Sequence, residues 1–462
     1  MMVINDNNPL GKERIGKLFF RLSIPAVIAQ LVNLLYNLID RIFIGHIEGV
    51  GDIALTGVGI CFPLIMIISA VSCLCGMGGA PKAAIKMGEN DLEGANKILG
   101  NCVTLTLISS LLLTVIVFLF KEPILYLFGA SDNTIIYSLD YLSIYSLGTI
   151  FVMISLGLSA FITTQGFSKI SMINVIVGAL INIILDPIFI YAFNLGVKGA
   201  ALATIISQAI VAFLIIRFLL SNKTKLKIKL ENLKLDYKVF LPVMALGLAP
   251  FIMQSTESIL AICFNTSLYK YGGDIAVGAM TILTSLMQLA MLPLQGFSQG
   301  AQPIISYNYG AKNPKRIKEV FKLLFIICIT YSCLFWLMCM VFPSMLISMF
   351  TDKVELINFA IPSLRIYMAL ICIFGIQIAC QQTFVSLGNA IVSLFLALLR
   401  KVILLIPLIY IVPLFMENKC NAVFLAEPIA DLLAVSTTAI MFIIIFKKSM
   451  KKIEVVSYEK VI

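Results

Sequence analysis

Asn182 and Asp186 in the stretch NIILDPIFIYAF are four residues apart, so on a helix they share one face and offer their oxygens to one place. Pro187 follows directly. It removes an amide donor and crowds the carbonyl of Ile183, so a bend and a free carbonyl are expected beside the acid. A carboxylate, an amide oxygen and a loosened backbone can hold a proton or a small cation. The flanking residues are apolar, and a carboxylate inside such a segment costs several kcal/mol unless it faces a cavity or an ion path. Asp40 and Thr204 extend the set. Asp40 lies five residues before Gly45, Asp186 seven before Phe193 and Thr204 five after Gly199, each near the same end of its apolar run. At about 1.5 Å per residue, the three are at one depth to within roughly a turn. Two carboxylates at one depth repel, so one should hold a proton or the pair should share a cation.

The elements that must position these residues follow from composition. Of 462 residues, 60% are hydrophobic and 13% charged, and mean hydropathy is +1.01, which excludes a soluble globular domain. About twelve apolar runs approach 20 residues, beginning near Leu18, Ile53, Ile98, Ser138, Ile170, Ala200, Leu241, Ile275, Phe321, Ile357, Val392 and Phe424. Runs this long and uniform are helices rather than barrel strands, so the expected fold class is an all-α integral membrane protein. The first run is expected to remain as a span rather than be cleaved. With the N-terminus inside, the inner segments carry 23 of the 34 Lys and Arg residues and the outer loops five, Lys121, Lys198, Lys270, Lys353 and Lys419. That bias places both termini in the cytoplasm. It also accounts for the net charge of +10 through contact with lipid headgroups, without nucleic acid. The eleven cysteines read as small apolar packing residues, Cys73 and Cys75 included, since no His or acid accompanies that pair.

The chain also repeats itself. Gly51-Asp52-Ile53-Ala54 recurs as Gly273-Asp274-Ile275-Ala276, and the same offset pairs Gly78, Pro81, Gly88, Phe128, Tyr145 and Gly166 with Gly300, Pro303, Gly310, Phe350, Tyr367 and Gly388. Two six-helix lobes are therefore expected, an N-lobe over 1–220 and a C-lobe over 241–446. A basic cytoplasmic linker over 221–240 joins them, and a cytoplasmic tail occupies 447–462. Six is even, so both lobes enter the membrane in the same direction, with a cleft between them.

With these features the chain resembles the multidrug and toxic compound extrusion (MATE) family, in its bacterial MepA-like branch. The likeness is carried by SIPAVIAQLVNLLYNLIDRIFIG, GVGDIALTGVGICFP, NIILDPIFIY, GVKGAALATIISQ, GFSQGAQPIISYNYGAKN and AEPIADLLA, in that order along the chain. The resemblance implies secondary active export of amphipathic, mostly cationic compounds from a bacterial plasma membrane, by antiport against H⁺ or Na⁺ as two lobes alternate in access. It implies an N-lobe cation site at Asp40, Asn182, Asp186 and Thr204, with Tyr141 nearby and Pro25 where the first helix bends. An acid at the position of Glu257 would line the cleft, with Gln254 on the same face. The tenth helix has Gln377, Gln381 and Gln382 where some branches carry an acid, so a full C-lobe ion site is not implied. Tyr36, Met287 and Met291 complete the substrate-contact candidates, since aromatic and thioether groups suit flat cations.

The remaining polar groups read differently. Arg400 and Asp431 are expected to form an ion pair between the last two helices, with Glu427 near. His46 is the only histidine, so neither metal chemistry nor a His-based triad is expected beyond Na⁺ at Asp40 and Asp186. GKERIGKL lacks the Ser or Thr and the preceding strand of a phosphate loop, so ATP-driven pumping is not expected. The chain is expected to be no enzyme, to use no cofactor, and to act as a monomer among lipids. The alternative reading is a flippase for lipid-linked saccharides, which would need a strongly basic cleft.

Overall fold

The computed structural model describes residues 8–459, with side chains to Val455. Residues 1–7 and 460–462, the outer parts of the two expected tails, lie outside it. Among the described residues the chain is helical without strands, and twelve spans can be followed. Span 1 is Ile15–Gly45, span 2 Gly51–Gly88, span 3 Leu92–Leu127, span 5 Ser168–Pro187 with a π turn Ile188–Ala192, and span 6 Val197–Leu220. Spans 7 and 8 form the continuous stretch Tyr237–Gly310, broken at Gly273 (φ 62°, ψ −157°). Span 9 is Pro314–Val341, span 11 Ala390–Leu398 with a π turn Leu399–Leu405 and Ile406–Ile411, and span 12 Lys419–Glu459. Spans 4 and 10 are bent pairs, Ile135–Leu147 with Thr149–Thr164 at 58° and Val354–Tyr367 with Ile371–Ser386 at 48°. The protein is thus a multi-pass membrane protein.

The breaks obey the internal repeat. Spans 4 and 10 both bend, spans 5 and 11 both carry a π turn, and Gly166 and Gly388 both take positive φ, 92° and 73°, in the turns that follow the bent spans. Only glycine enters that region without strain. Two helices reach into the expected linker and tail. Span 7 starts at Tyr237, inside the expected linker, because Asp236 caps it by accepting the Lys238 amide at 3.0 Å. Asp236 also binds Lys97 at 2.7 Å, and the two contacts hold its carboxyl below the usual range. The helix of span 12 runs on past 446 through most of the expected tail, to Glu459.

Three of the four buried cores among the described residues show how the lobes meet. One is shared, joining Leu18, Leu22 and Leu99 of the N-lobe to Val243, Ile304 and Leu324 of the C-lobe. The other two belong to one lobe each, around Ile68, Tyr141 and Ile190 and around Phe264, Tyr367 and Phe424. The shared core lies at the end that carries the basic loops. The lobes are therefore joined at the basic end and have separate cores toward the far end, which leaves the cleft opening there. Interlobe hydrogen bonds cluster at the basic end: Ser23 to Phe297 O at 3.4 Å, Asn308 to Leu10 O at 3.0 Å, and Arg316 to Leu10 O and Glu13 O at 3.2 and 2.8 Å.

Repeat-related glycines make this join. A Cβ at Gly88 would sit 2.0 Å from Tyr307 O, and one at Gly310 would sit 2.0 Å from Ile85 O, so spans 2 and 8 cross backbone to backbone. Gly88→Ala should lower the stability of the purified protein by about 1–3 kcal/mol through overpacking against an atom that cannot rotate away. Gly59→Ala in the same span meets nothing within 4 Å and serves as the comparison in a thermal melt. Equal melting temperatures for the two variants would contradict this packing.

Candidate functional site

The expected N-lobe cluster is assembled by spans 1, 5 and 6. Asp186 is 0% exposed, and Asn182 and Thr204 are buried. The Asn182 amide nitrogen donates to Asp186 Oδ1 at 3.2 Å and to Thr204 Oγ1 at 3.4 Å. Asp40 and Asp186 are electrostatic neighbours. Three oxygens of this group, Asp40 Oδ1, Asn182 Oδ1 and Asp186 Oδ2, are buried without a hydrogen-bond partner. Such orphans are rare and each calls for an explanation. An oxygen-only set of two carboxylates, an amide and a hydroxyl fits a proton or a hard monovalent cation. Among the described residues there is no group of three or more His, Cys, Asp and Glu side chains fit for a metal ion.

The local fold explains why the cluster holds its shape. The π turn after Pro187 places Tyr191 so that its hydroxyl donates to Phe43 O of span 1 at 2.7 Å, tying the end of span 5 to the turn that follows Asp40. That tie had no signal in the sequence. Tyr141 is buried beside Asp40 and stacks on Tyr145 at 5.7 Å. Tyr36 lies one turn before Asp40 and is close to both acids, so it belongs to this cluster as much as to the cleft. Pro25 stands inside span 1, ten residues from its start at Ile15. Arg41 is the obvious competitor for Asp40, yet its guanidinium lies over the Phe62 ring at 5.2 Å. Arg41→Gln should therefore leave gradient-driven dye efflux within about two-fold of wild type, since the contact it removes, roughly 0.5–1 kcal/mol, is with Phe62 and Arg41 reaches Asp40 only through its field; loss of efflux would place Arg41 in the site.

The C-lobe holds a second charged cluster, assembled by spans 7, 11 and 12, the repeat mates of spans 1, 5 and 6. Arg400 donates to Glu427 at 2.7 Å and Asp431 at 2.8 Å and lies over Phe374 at 4.5 Å. The expected Arg400–Asp431 pair is thus present, with Glu427 as a second partner. Lys401 donates to Met253 O at 2.6 Å and pairs with Glu257. This link was not read from the sequence, where Glu257 stood as a cleft acid alone. Arg400 and Lys401 lie in the π turn Leu399–Leu405 and, as consecutive helical residues, point to different helices. Gln254 accepts from Cys73 of span 2 at 3.3 Å, so it faces the other lobe. Gln377 donates to Gln381 at 3.2 Å, and its own side-chain oxygen is buried without a partner. Met287 and Met291 pack against the C-lobe core and stand only partly free. Gln382 is half-buried in the same span as Gln377 and Gln381.

Two lobes joined at one end, each with a polar cluster on the first, fifth and sixth helices of its repeat, define a two-lobed membrane transport fold. The chain belongs to the MatE family, whose model matches residues 25–188 and 249–411, one stretch in each lobe. It is similar to the multidrug export protein MepA of Staphylococcus haemolyticus (strain JCSC1435), 28% identical over 363 residues that cover 78% of this chain and 79% of the relative. It is similar also to MepA of Staphylococcus aureus (strain NCTC 8325 / PS 47), 25% identical over 407 residues covering 87% and 88%. Among solved structures, MATE in the bent conformation superposes with a TM-score of 0.91 at 22% identity, covering 97% of this chain and 99% of that one. An outward-facing multidrug resistance MATE family transporter gives 0.89 at 22%, covering 96% and 99%. These two likenesses speak to the fold.

Proposed function

We propose that this chain is a secondary active multidrug exporter of a bacterial plasma membrane, with both termini cytoplasmic, that exchanges amphipathic and mostly cationic compounds for H⁺ or Na⁺. The observation that carries the reading is the buried Asp40–Asp186–Asn182–Thr204 cluster with its three unpartnered oxygens. A single positive charge placed there relieves the repulsion of two carboxylates, and Arg41, turned to Phe62, acts on Asp40 only through its field. Loading from outside would draw spans 1, 5 and 6 together, and Pro25 lets span 1 bend because one of its helical hydrogen bonds is missing. The names of the MepA relatives support the substrate class. The flippase alternative asks for a cleft with free positive charge. Arg400 and Lys401, the mid-span bases of span 11, are matched by Glu427, Asp431 and Glu257, which weighs against it. The protein would work as a monomer among lipids, without nucleic acid, cofactor or enzymatic step.

The test is efflux of ethidium, followed as uptake into everted vesicles, with H⁺ and Na⁺ gradients imposed separately. Export driven by one gradient is expected, and that gradient names the ion. No efflux under either gradient sinks the proposal.

A further inference from the structure

Glu257 and Lys401 form a pair with two unlike faces. The Glu257 side chain is 62% exposed and that of Lys401 is 4% exposed. Gln254, Glu257 and Ser258 share one face of span 7. Gln254 touches Cys73 of the other lobe, so Glu257, one turn farther from the basic end, opens into the cleft just beyond that contact. Lys401 reaches it from behind, with its ammonium also held by Met253 O.

The charges of the cluster divide the same way. Lys401, Glu427 and Asp431 are buried and Arg400 is largely so, 14% exposed, and the four balance one another, two positive and two negative. Glu257 is the surplus negative charge, and it is the one that the cleft can reach. A cation arriving from the cleft can therefore take the Glu257 carboxylate without leaving a buried charge unmatched, because Lys401 keeps the Met253 carbonyl and the field of the Glu427 carboxylate.

We infer that Lys401 is a built-in counter-cation that an organic monocation must displace from Glu257, so that the pair sets how strongly the cleft binds positive charge. This rests on the exporter reading above for its substrate class. An ion pair with one exposed partner competes weakly, so removing the lysine frees the acid for the substrate.

The experiment is binding of ethidium to the purified full-length protein by fluorescence anisotropy, beside gradient-driven efflux. Lys401→Gln should tighten the ethidium Kd about three- to five-fold, the scale of a partly exposed ion pair. Lys401→Arg should restore the wild-type Kd, the neutral dye Nile red should show no gain, and Glu257→Gln should cancel the gain in the double variant. If Lys401→Gln alone does not fold, Lys401→Gln with Glu427→Gln keeps the buried charges balanced and should show the same tightening. An unchanged or weaker ethidium Kd, or an equal gain for Nile red, overturns the inference. Failure of wild-type efflux with the Kd pattern intact would remove the exporter reading and leave the pair standing; efflux with an unchanged Kd would remove the pair alone.

Discussion

Asp186→Asn is expected to reduce gradient-driven ethidium efflux to the level of empty vesicles while the protein still reaches the membrane. Asparagine has nearly the same shape, so the contact with Asn182 at 3.2 Å can be kept by an amide, and the fold does not depend on the lost charge. What disappears is the second carboxylate. With Asp40 alone the cluster no longer has two like charges whose repulsion a cation relieves, and the ion's energy is no longer coupled to the movement of spans 1, 5 and 6. Thr204→Ala removes one hydroxyl oxygen from the same set and should cost about five-fold in efflux, the equivalent of roughly 1 kcal/mol. Normal export by Asp186→Asn, driven by the same ion as wild type, would remove the cluster from the mechanism.

The largest effect on stability is expected at Arg400. Its guanidinium is the partner of both Glu427 and Asp431, which are buried to within a few per cent. Arg400→Met leaves two acids facing one another in a water-poor interior, and breaking a buried pair by removing one partner costs about 3–5 kcal/mol. The loss of stacking on Phe374 adds to that. Most of the variant should be lost as aggregate on extraction, and the rest should melt well below wild type in detergent. Removing the acids as well, with Glu427→Gln and Asp431→Asn, should recover most of the lost stability, because the neutral set has no unmatched charge. Melting of Arg400→Met at the wild-type temperature would show that the network carries little of the lobe's stability.

Much of the fold was legible from spacing. Twelve apolar runs became twelve spans because backbone groups in lipid must bond within their own helix, which leaves the sequence few other solutions. The duplication was legible because backbone demands repeat with it: Gly88 and Gly310 pack on one another's spans, and Gly166 and Gly388 take the same left-handed turn. The N-lobe cluster was legible in part, since Asn182 and Asp186 are one helical turn apart and depth can be counted from the ends of apolar runs.

Direction around each helix was not legible in the same way. Arg41 follows Asp40 in sequence, but neighbours on a helix point about 100° apart, and only packing decides that Arg41 meets Phe62 while Asp40 meets Asp186. The Glu257–Lys401 pair joins residues 144 positions apart on helices that are not consecutive, and Lys401 lies in a π turn that no residue pattern announced. The sequence by itself thus determined the number of spans, their duplication and the depth of the buried acids, because these depend on length and composition along one axis. The tertiary structure alone decided which charges are partners and which is left open to the cleft, because that depends on the rotation of each helix against its neighbours.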